Sequence, residues 1–218
     1  IATADYVSAL VTSRLGSVLQ SQAPNVTLTL KPTPGTSAKE LQLGSLDLII
    51  CPNLPSNWRA CGIDRDDVDF RHDVFMHDEL VAIQWREHAR HNRTVSKDEY
   101  FERPHAVYCR TDGHDTIEQE TLAQLGLRQR TQFKVPYFTL LPQLVVGTDM
   151  IAVVPRSLAR HYARIFEIDI FAPPYELPRM DLVMIWAQNR ETYSDLAWLR
   201  NTVRQTSVDL LVAADSND

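Results

Sequence analysis

Leu46-Asp-Leu-Ile-Ile-Cys51, residues 46–51, is the stretch on which the fold turns. A run this short and apolar, broken only by Asp47, reads as a strand buried on both faces, and such strands belong to sheets covered by helices. Upstream, residues 36–43 have the pattern of a short helix, with Gly44 placed to close it. Earlier still, Val26, Leu28 and Leu30 alternate with Thr27, Thr29 and Lys31, the period of a strand. Val7, Leu10, Val11, Leu15, Val18 and Leu19 fall at helical spacing within residues 6–22, and Pro24 stops that helix. The chain up to Cys51 therefore reads helix, strand, helix, strand, which implies a parallel or mostly parallel sheet. Ile1 to Thr3 read as the tail of one more strand, so the natural chain is expected to extend upstream of Ile1.

Working outward in the other direction, Pro52, Pro55 and Gly62 mark residues 52–66 as loop. Residues 68–75 and 79–85 are strand-like. A short helix opens at Ser96 as N-cap, with Glu99 completing a capping box. Residues 106–109 form a short strand. Asp115 is the expected N-cap of a helix reaching Leu125, with Glu118 three residues on and Gly126 closing it. Residues 130–135 read as a strand broken by Pro136, and 140–146 as a short helix ended by Gly147. A buried strand over 150–154 runs into Pro155, suited to the first position of a helix over 156–164. Pro173, Pro174 and Pro178 mark 171–178 as linker or edge. Residues 182–186 are a strand, and 194–208 the last helix, with Leu196, Leu199, Val203 and Leu210 inward. Strand-helix alternation occurs twice, before and after about residue 88, which predicts two α/β lobes, with the last strand and helix free to return to the first.

The 218 residues are 44% hydrophobic and 23% charged, ordinary for a globular protein. A formal net charge of -6 argues against this chain being a part that grips DNA, because phosphate binding needs clustered Lys and Arg. Cys51, Cys61 and Cys109 are odd in number and poorly spaced for disulfides, which fits a reducing compartment. No stretch approaches the ~18 apolar residues of a membrane helix. No signal peptide opens the chain, as would also be true of a trimmed one.

Several local patterns, in order, resemble the effector-binding domain of LysR-type transcription regulators. Ile-Ala-Thr-Ala-Asp-Tyr at 1–6 and Gln-Ala-Pro-Asn-Val at 22–26 are similar to that family's first sensor strand, helix and turn. Leu-Gln-Leu-Gly-Ser-Leu-Asp-Leu at 41–48 resembles its L-x-x-G-x-x-D-L step. His-Asp-Glu-Leu-Val-Ala-Ile at 77–83 resembles the strand before the first crossing. Gly147 to Pro155 resembles its G-x-G-I-x-x-x-P element, with Asp149 in place of the middle glycine. The nearer resemblance is to the branch that senses aromatic compounds, including regulators of salicylate, nitrotoluene and chlorophenol degradation and the flavonoid-responsive nodulation regulators. Phe-Lys-Val-Pro-Tyr-Phe at 133–138, Leu-Val-Met-Ile-Trp at 182–186 and Leu-Ala-Trp-Leu-Arg at 196–200 carry it.

The resemblance implies an α/β, periplasmic-binding-protein-like fold of two Rossmann-like lobes joined by two crossover strands. Residues 1–87 and 182–218 would form one regulatory lobe and 88–181 the other. It further implies a small aromatic inducer, phenolic or chlorophenol-like, held in the interlobe cleft to control transcription of a catabolic operon. The winged helix-turn-helix would lie upstream, absent from this chain, and promoter DNA would be touched only through it. A cytoplasmic homodimer or homotetramer is expected, with no enzymatic activity, no cofactor and no membrane partner.

Ligands of such folds gather where strands end and helices begin. Thr3, Asp5 and Tyr6 stand at that point of the first lobe; Thr3 and Asp5 are equally candidates to cap the helix. Leu10 and Val11 either wall the site or serve as core. His105, taken to precede a strand, matches the place of a histidine in salicylate-sensing relatives and can bond a phenol or carboxylate; the bland alternative is a partly exposed histidine after Pro104. Tyr137 stands where those relatives carry a second histidine, which with Phe138 favours a phenolic or uncharged aromatic over salicylate. Ile185 and Trp186 either line the pocket or pack the crossing. Two rival functions remain open: a solute-binding protein for transport, and a small hydrolase built on Cys109, His105 and Asp112. His88 and His91 near Glu87 lack a metal-ligand pattern, and the scattered glycines form no phosphate loop.

Overall fold

The computed structural model describes residues 1–33, 35–91 and 95–215, without the side chains of 13, 89–91 and 207–215. The chain divides into two compact units, Ile1–His77 with the segment from Met180 onward, and Asp78–Arg179. The first unit begins with β1 (Ala2–Thr3), α1 (Asp5–Gln22), α2 (Ser37–Leu43), β2 (Ile49–Pro52), α3 (Pro55–Ala60) and β3 (Phe70–Asp78). The second holds β4 (Leu80–Trp85), α4 (Arg86–His91), α5 (Lys97–Glu102), β5 (Pro104–Tyr108), α6 (Ile117–Gln124), β6 (Arg130–Val135), α7 (Leu141–Val145), β7 (Ala152–Pro155), α8 (Arg156–Tyr162) and β8 (Ile168–Phe171). The chain then returns through β9 (Met180–Ala187) and α9 (Ser194–Asp215).

In the first unit the strands lie in the order β1-β2-β9-β3. β1 runs parallel to β2, with Ala2 opposite Ile49, and β2 runs antiparallel to β9, with Ile49 opposite Ile185. Successive strand residues point to opposite faces, and Ile49, Ile50 and Cys51 are all buried, so both faces are covered. On one face Ile49, Cys51, Val183 and Ile185 meet Leu41 of α2 and Trp58 of α3. α1 and α9 pack on one another, and their apolar spacing buries Tyr6, Val7, Leu10, Val11 and Leu15 from the one and Leu196, Leu199 and Val203 from the other. The expectation for Leu210 lies outside the described side chains.

Two elements of this unit differ from the sequence pattern. Residues 26–30 are not a strand. Lys31 alone bridges to Ala2, and the Ile1 amine donates to the Thr29 carbonyl at 2.8 Å. Val26 is exposed and Leu28 and Leu30 only half-buried, so the alternation has no core face to bury. Conversely, the expected loop over 52–66 contains α3. Pro55 starts that helix rather than breaking it, and Trp58 is buried with its indole donating to Asn53 Oδ1 at 3.1 Å.

The second unit carries β7-β4-β8, antiparallel throughout, and a parallel β5-β6 pair. Because β4 pairs with β7 and β8, residues 80–85 belong to this unit, and the first crossing falls at 77/78 rather than after 87. β8 was hidden in the sequence beside the proline-rich segment. Ser96 caps α5 by accepting from the Glu99 amide at 3.2 Å. The capping box of α6 is Thr116 with Gln119, one residue later than Asp115 with Glu118. Pro155 is the N-cap of α8 rather than its first residue, and Asp78 accepts from the Ser157 amide and hydroxyl at that helix start.

The Gly-x-x-Asp step of residues 44–47 has a plain physical content. Gly44 ends α2 at φ 73°, with its amide returned to the Glu40 and Leu41 carbonyls. Asp47 accepts from Arg190 Nη1 at 2.7 Å. A methyl at residue 44 would only touch the Arg190 guanidinium, at 3.4 Å, so the cost of adding one is conformational. Gly44→Ala is expected to lower unfolding stability by about 1 kcal/mol with an unchanged urea m-value; an unchanged midpoint would refute the left-handed cap.

Candidate functional site

The junction from β1 to α1 is held by main chain and core rather than by side-chain caps. Thr3 is buried, and its hydroxyl donates across the parallel pair to the Ile50 carbonyl at 3.0 Å. Ala4 is the N-cap and no side chain caps the helix, so Thr3 and Asp5 do not have the capping role. Asp5 occupies the first turn, where a negative charge is favoured by the helix dipole. Tyr6, Leu10 and Val11 are buried core. Ile185 is fully buried opposite Ile49. Trp186 lies under the Arg200 guanidinium at 4.5 Å and donates from its indole to Glu191. Of the seven expected residues in this unit, Asp5 alone is partly exposed.

In the second unit the centre is His105. It lies inside β5 rather than before it and is fully buried rather than partly exposed. Nδ1 stands 3.0 Å from the Arg103 carbonyl, which as an acceptor fixes the proton on Nδ1. Nε2 is then a bare lone pair, and it is buried with no hydrogen-bond partner among the described residues. Burial holds the imidazole down to about 4, against the pull of that carbonyl bond, so the ring is neutral.

Around this ring the fold gathers aromatic groups that spacing did not single out. The Tyr100 ring meets His105 edge-on at 4.8 Å. The Tyr100 hydroxyl lies 3.3 Å from that of Tyr175, which donates to Glu118 Oε1 at 3.0 Å. Phe101 stacks on Tyr175, and Phe171 approaches Tyr100 edge-on. Glu118 is buried, and that burial pushes its carboxyl up to about 7 despite hydrogen bonds from Tyr175 and Gln129. The proline-rich surroundings concealed Tyr175. Glu118 was detectable in principle: it sits four residues before Leu122, on the same helix face, and both are buried.

Tyr137 and Phe138 follow β6 and are not among the groups around His105. Tyr137 is half-exposed and leads into a 3-10 turn over Phe138–Leu140. Phe138 stacks on Tyr108, at the far end of β5 from His105, with centroids 3.9 Å apart.

Among the described residues no hydrogen bond joins Cys109 to His105 or Asp112. Asp112 is bound by Arg110 at 2.9 Å, whose guanidinium holds the carboxyl down to about 2, and His105 gives its Nδ1 proton to Arg103. His88 pairs with Asp149 at 3.0 Å; the side chain of His91 lies outside the described residues. Among the described residues there is no cluster of metal-ligating side chains, and no helix is long and apolar enough to cross a membrane.

A sequence profile described as the LysR substrate binding domain matches residues 1–207. Nodulation protein D 2 of Sinorhizobium fredii is 25% identical over 218 residues, covering 99% of this chain and 66% of that protein. The regulatory domain of MexT, a transcriptional activator in Pseudomonas aeruginosa, superposes with TM-score 0.75 at 20% identity, covering 94% of this chain and 95% of that one. The regulatory domain of Synechocystis PCC6803 CcmR, solved with 2-PG, superposes with TM-score 0.70 at 16% identity, covering 94% and 95%. These structural likenesses establish the two-lobed, periplasmic-binding-protein-like fold.

His105 and Glu118 have opposite linkage to pH. The His105 contribution is full above its ordinary 6.5 and is lost as pH falls towards about 4. The Glu118 contribution is full below its ordinary 4.5 and is lost as pH rises through about 7. Between these limits the two slopes oppose one another. Glu118→Gln is expected to remove the Glu118 part of the loss of stability between pH 4.5 and 7, and to exceed the wild type at pH 8 by at most about 3 kcal/mol. Urea midpoints at pH 5 and 8 check this; equal pH dependence in the two proteins would refute the buried carboxyl.

Proposed function

The chain belongs to the LysR substrate-binding-domain family, and from that premise we propose that it senses a small aromatic inducer for a transcription regulator. The observation that carries the chemical part is the neutral, buried His105 set among Tyr100, Phe101, Phe171 and Tyr175. Such surroundings favour a flat, largely apolar ligand with few polar anchors. His105, Tyr137 and Phe138 are the proposed ligand groups of the second unit. Thr3, Asp5, Tyr6, Leu10, Val11, Ile185 and Trp186 are those of the first, most of them as apolar wall.

The family match over residues 1–207 favours a regulator over a transport solute-binding protein. With a net charge of -6, this chain is poorly suited to phosphate contacts. Promoter binding is therefore assigned to a winged helix-turn-helix outside it, in a cytoplasmic homodimer or homotetramer controlling a catabolic operon. The inducer acts only in so far as it binds one state of the domain more tightly than another.

Calorimetric titration of the chain with chlorinated phenols, salicylates and flavonoids tests the assignment. At least one phenol or flavonoid is expected to bind, with salicylates weaker. At a hundredfold excess over Kd the bound domain should gain about 2.7 kcal/mol of stability. Absence of binding by every aromatic would overturn the aromatic assignment and leave the family standing.

A further inference from the structure

We propose that His105 Nε2 is the acceptor for a hydroxyl of the inducer, so that this domain selects phenols and other hydroxyl donors over carboxylates. The proposal rests on the reading of the chain as a sensor of small aromatic molecules, and it names which chemical group of the ligand is read. Three observations carry it. First, the Nδ1 contact with the Arg103 carbonyl at 3.0 Å settles the tautomer and leaves Nε2 able only to accept. Second, Nε2 is buried and nothing among the described residues donates to it. An unmet buried acceptor carries an uncompensated desolvation cost, which a ligand hydroxyl removes and an ether or hydrocarbon does not. Third, the neighbours are rings. Tyr100 lies edge-on at 4.8 Å, with Phe101 and Tyr175 stacked beyond it.

A carboxylate fares worse at the same atom. It brings acceptors to a lone pair and binds only if the ring takes up a proton. Burial opposes that, and the cationic Arg103 next to the ring opposes it further. Arg103 donates from Nε to the Asp149 carbonyl at 2.9 Å and from Nη1 to Gln84 Oε1 at 2.7 Å, with Glu99 3.8 Å away, while its Nη2 is buried without a hydrogen-bond partner among the described residues. Because Nε2 has no exposed surface, the hydroxyl reaches it only as the aromatic shell rearranges. Phe101, Phe171 and Tyr175 are the only partly buried rings of that shell.

The test compares 2,4-dichlorophenol with its methyl ether and with salicylate, on the wild-type chain and on His105→Phe, which keeps an aromatic ring. The wild type is expected to prefer the phenol over the ether by about tenfold or more. In His105→Phe that preference should vanish. In parallel, the 15N signal of His105 Nε2 in the labelled wild type should shift as an accepting nitrogen with the phenol and not with the ether. This readout holds even if the variant fails to fold. A phenol that binds without moving the Nε2 signal, or a preference that survives in His105→Phe, overturns the proposal and leaves aromatic sensing intact. Salicylate binding more tightly than the phenol, with protonation of the ring, also overturns it. Absence of binding by the phenol, the ether, salicylate and the flavonoids alike would bring down the aromatic reading and this proposal with it.

Discussion

The antiparallel pairing of Ile49–Pro52 with Leu182–Ile185 is the interaction on which the first unit depends. Ile49 and Ile185 are opposite one another and fully buried. A buried main chain must find its hydrogen-bond partners within the protein. β2 finds them on one side in β1 and on the other in a strand that arrives after the whole second unit has been laid down. Trp58, Leu41 and Phe70 then close over that pair.

The second unit balances burial differently. Its interior contains an acid, an imidazole and two phenols, joined through Tyr175 and Tyr100. Burial disfavours each charge: His105 stays neutral, and the Glu118 carboxyl is pushed up to about 7. Hydrogen bonds from Tyr175 and Gln129 prevent the carboxyl from moving further. His105 Nε2 meets no donor among the described residues, and the Tyr100 ring lies edge-on to the imidazole.

Where one side-chain period dominates, the sequence declares its structure. The apolar stripe from Val7 to Leu15, the Leu196-Leu199-Val203 face and the run ending at Cys51 are all found as buried elements. Gly44, Ser96 and Gly147 also act where local chemistry places them. What escapes is decided by tertiary surroundings. The alternation at residues 26–30 meets no sheet face, Pro55 opens a helix because Trp58 has a core to enter, and β8 exists because β4 offers it an edge. At the candidate site His105 was visible, but its neutrality, its burial and its partners Tyr100, Tyr175 and Glu118 were not. Those ring and hydroxyl contacts join residues far apart in the chain, and no local spacing encodes them.

The central place of β9 in the first sheet has a consequence for biosynthesis. Asp78–Arg179 is one continuous stretch and can complete its own sheets as soon as it has emerged, whereas the first unit spans it. Until Met180–Ala187 is made, Ile49 to Cys51 present an apolar strand with one edge unpaired, the kind of surface that recruits a wrong partner. The unit that begins first is thus the one that must finish last, and the nascent chain carries an apolar strand edge uncovered while more than a hundred residues between Pro52 and Met180 are translated.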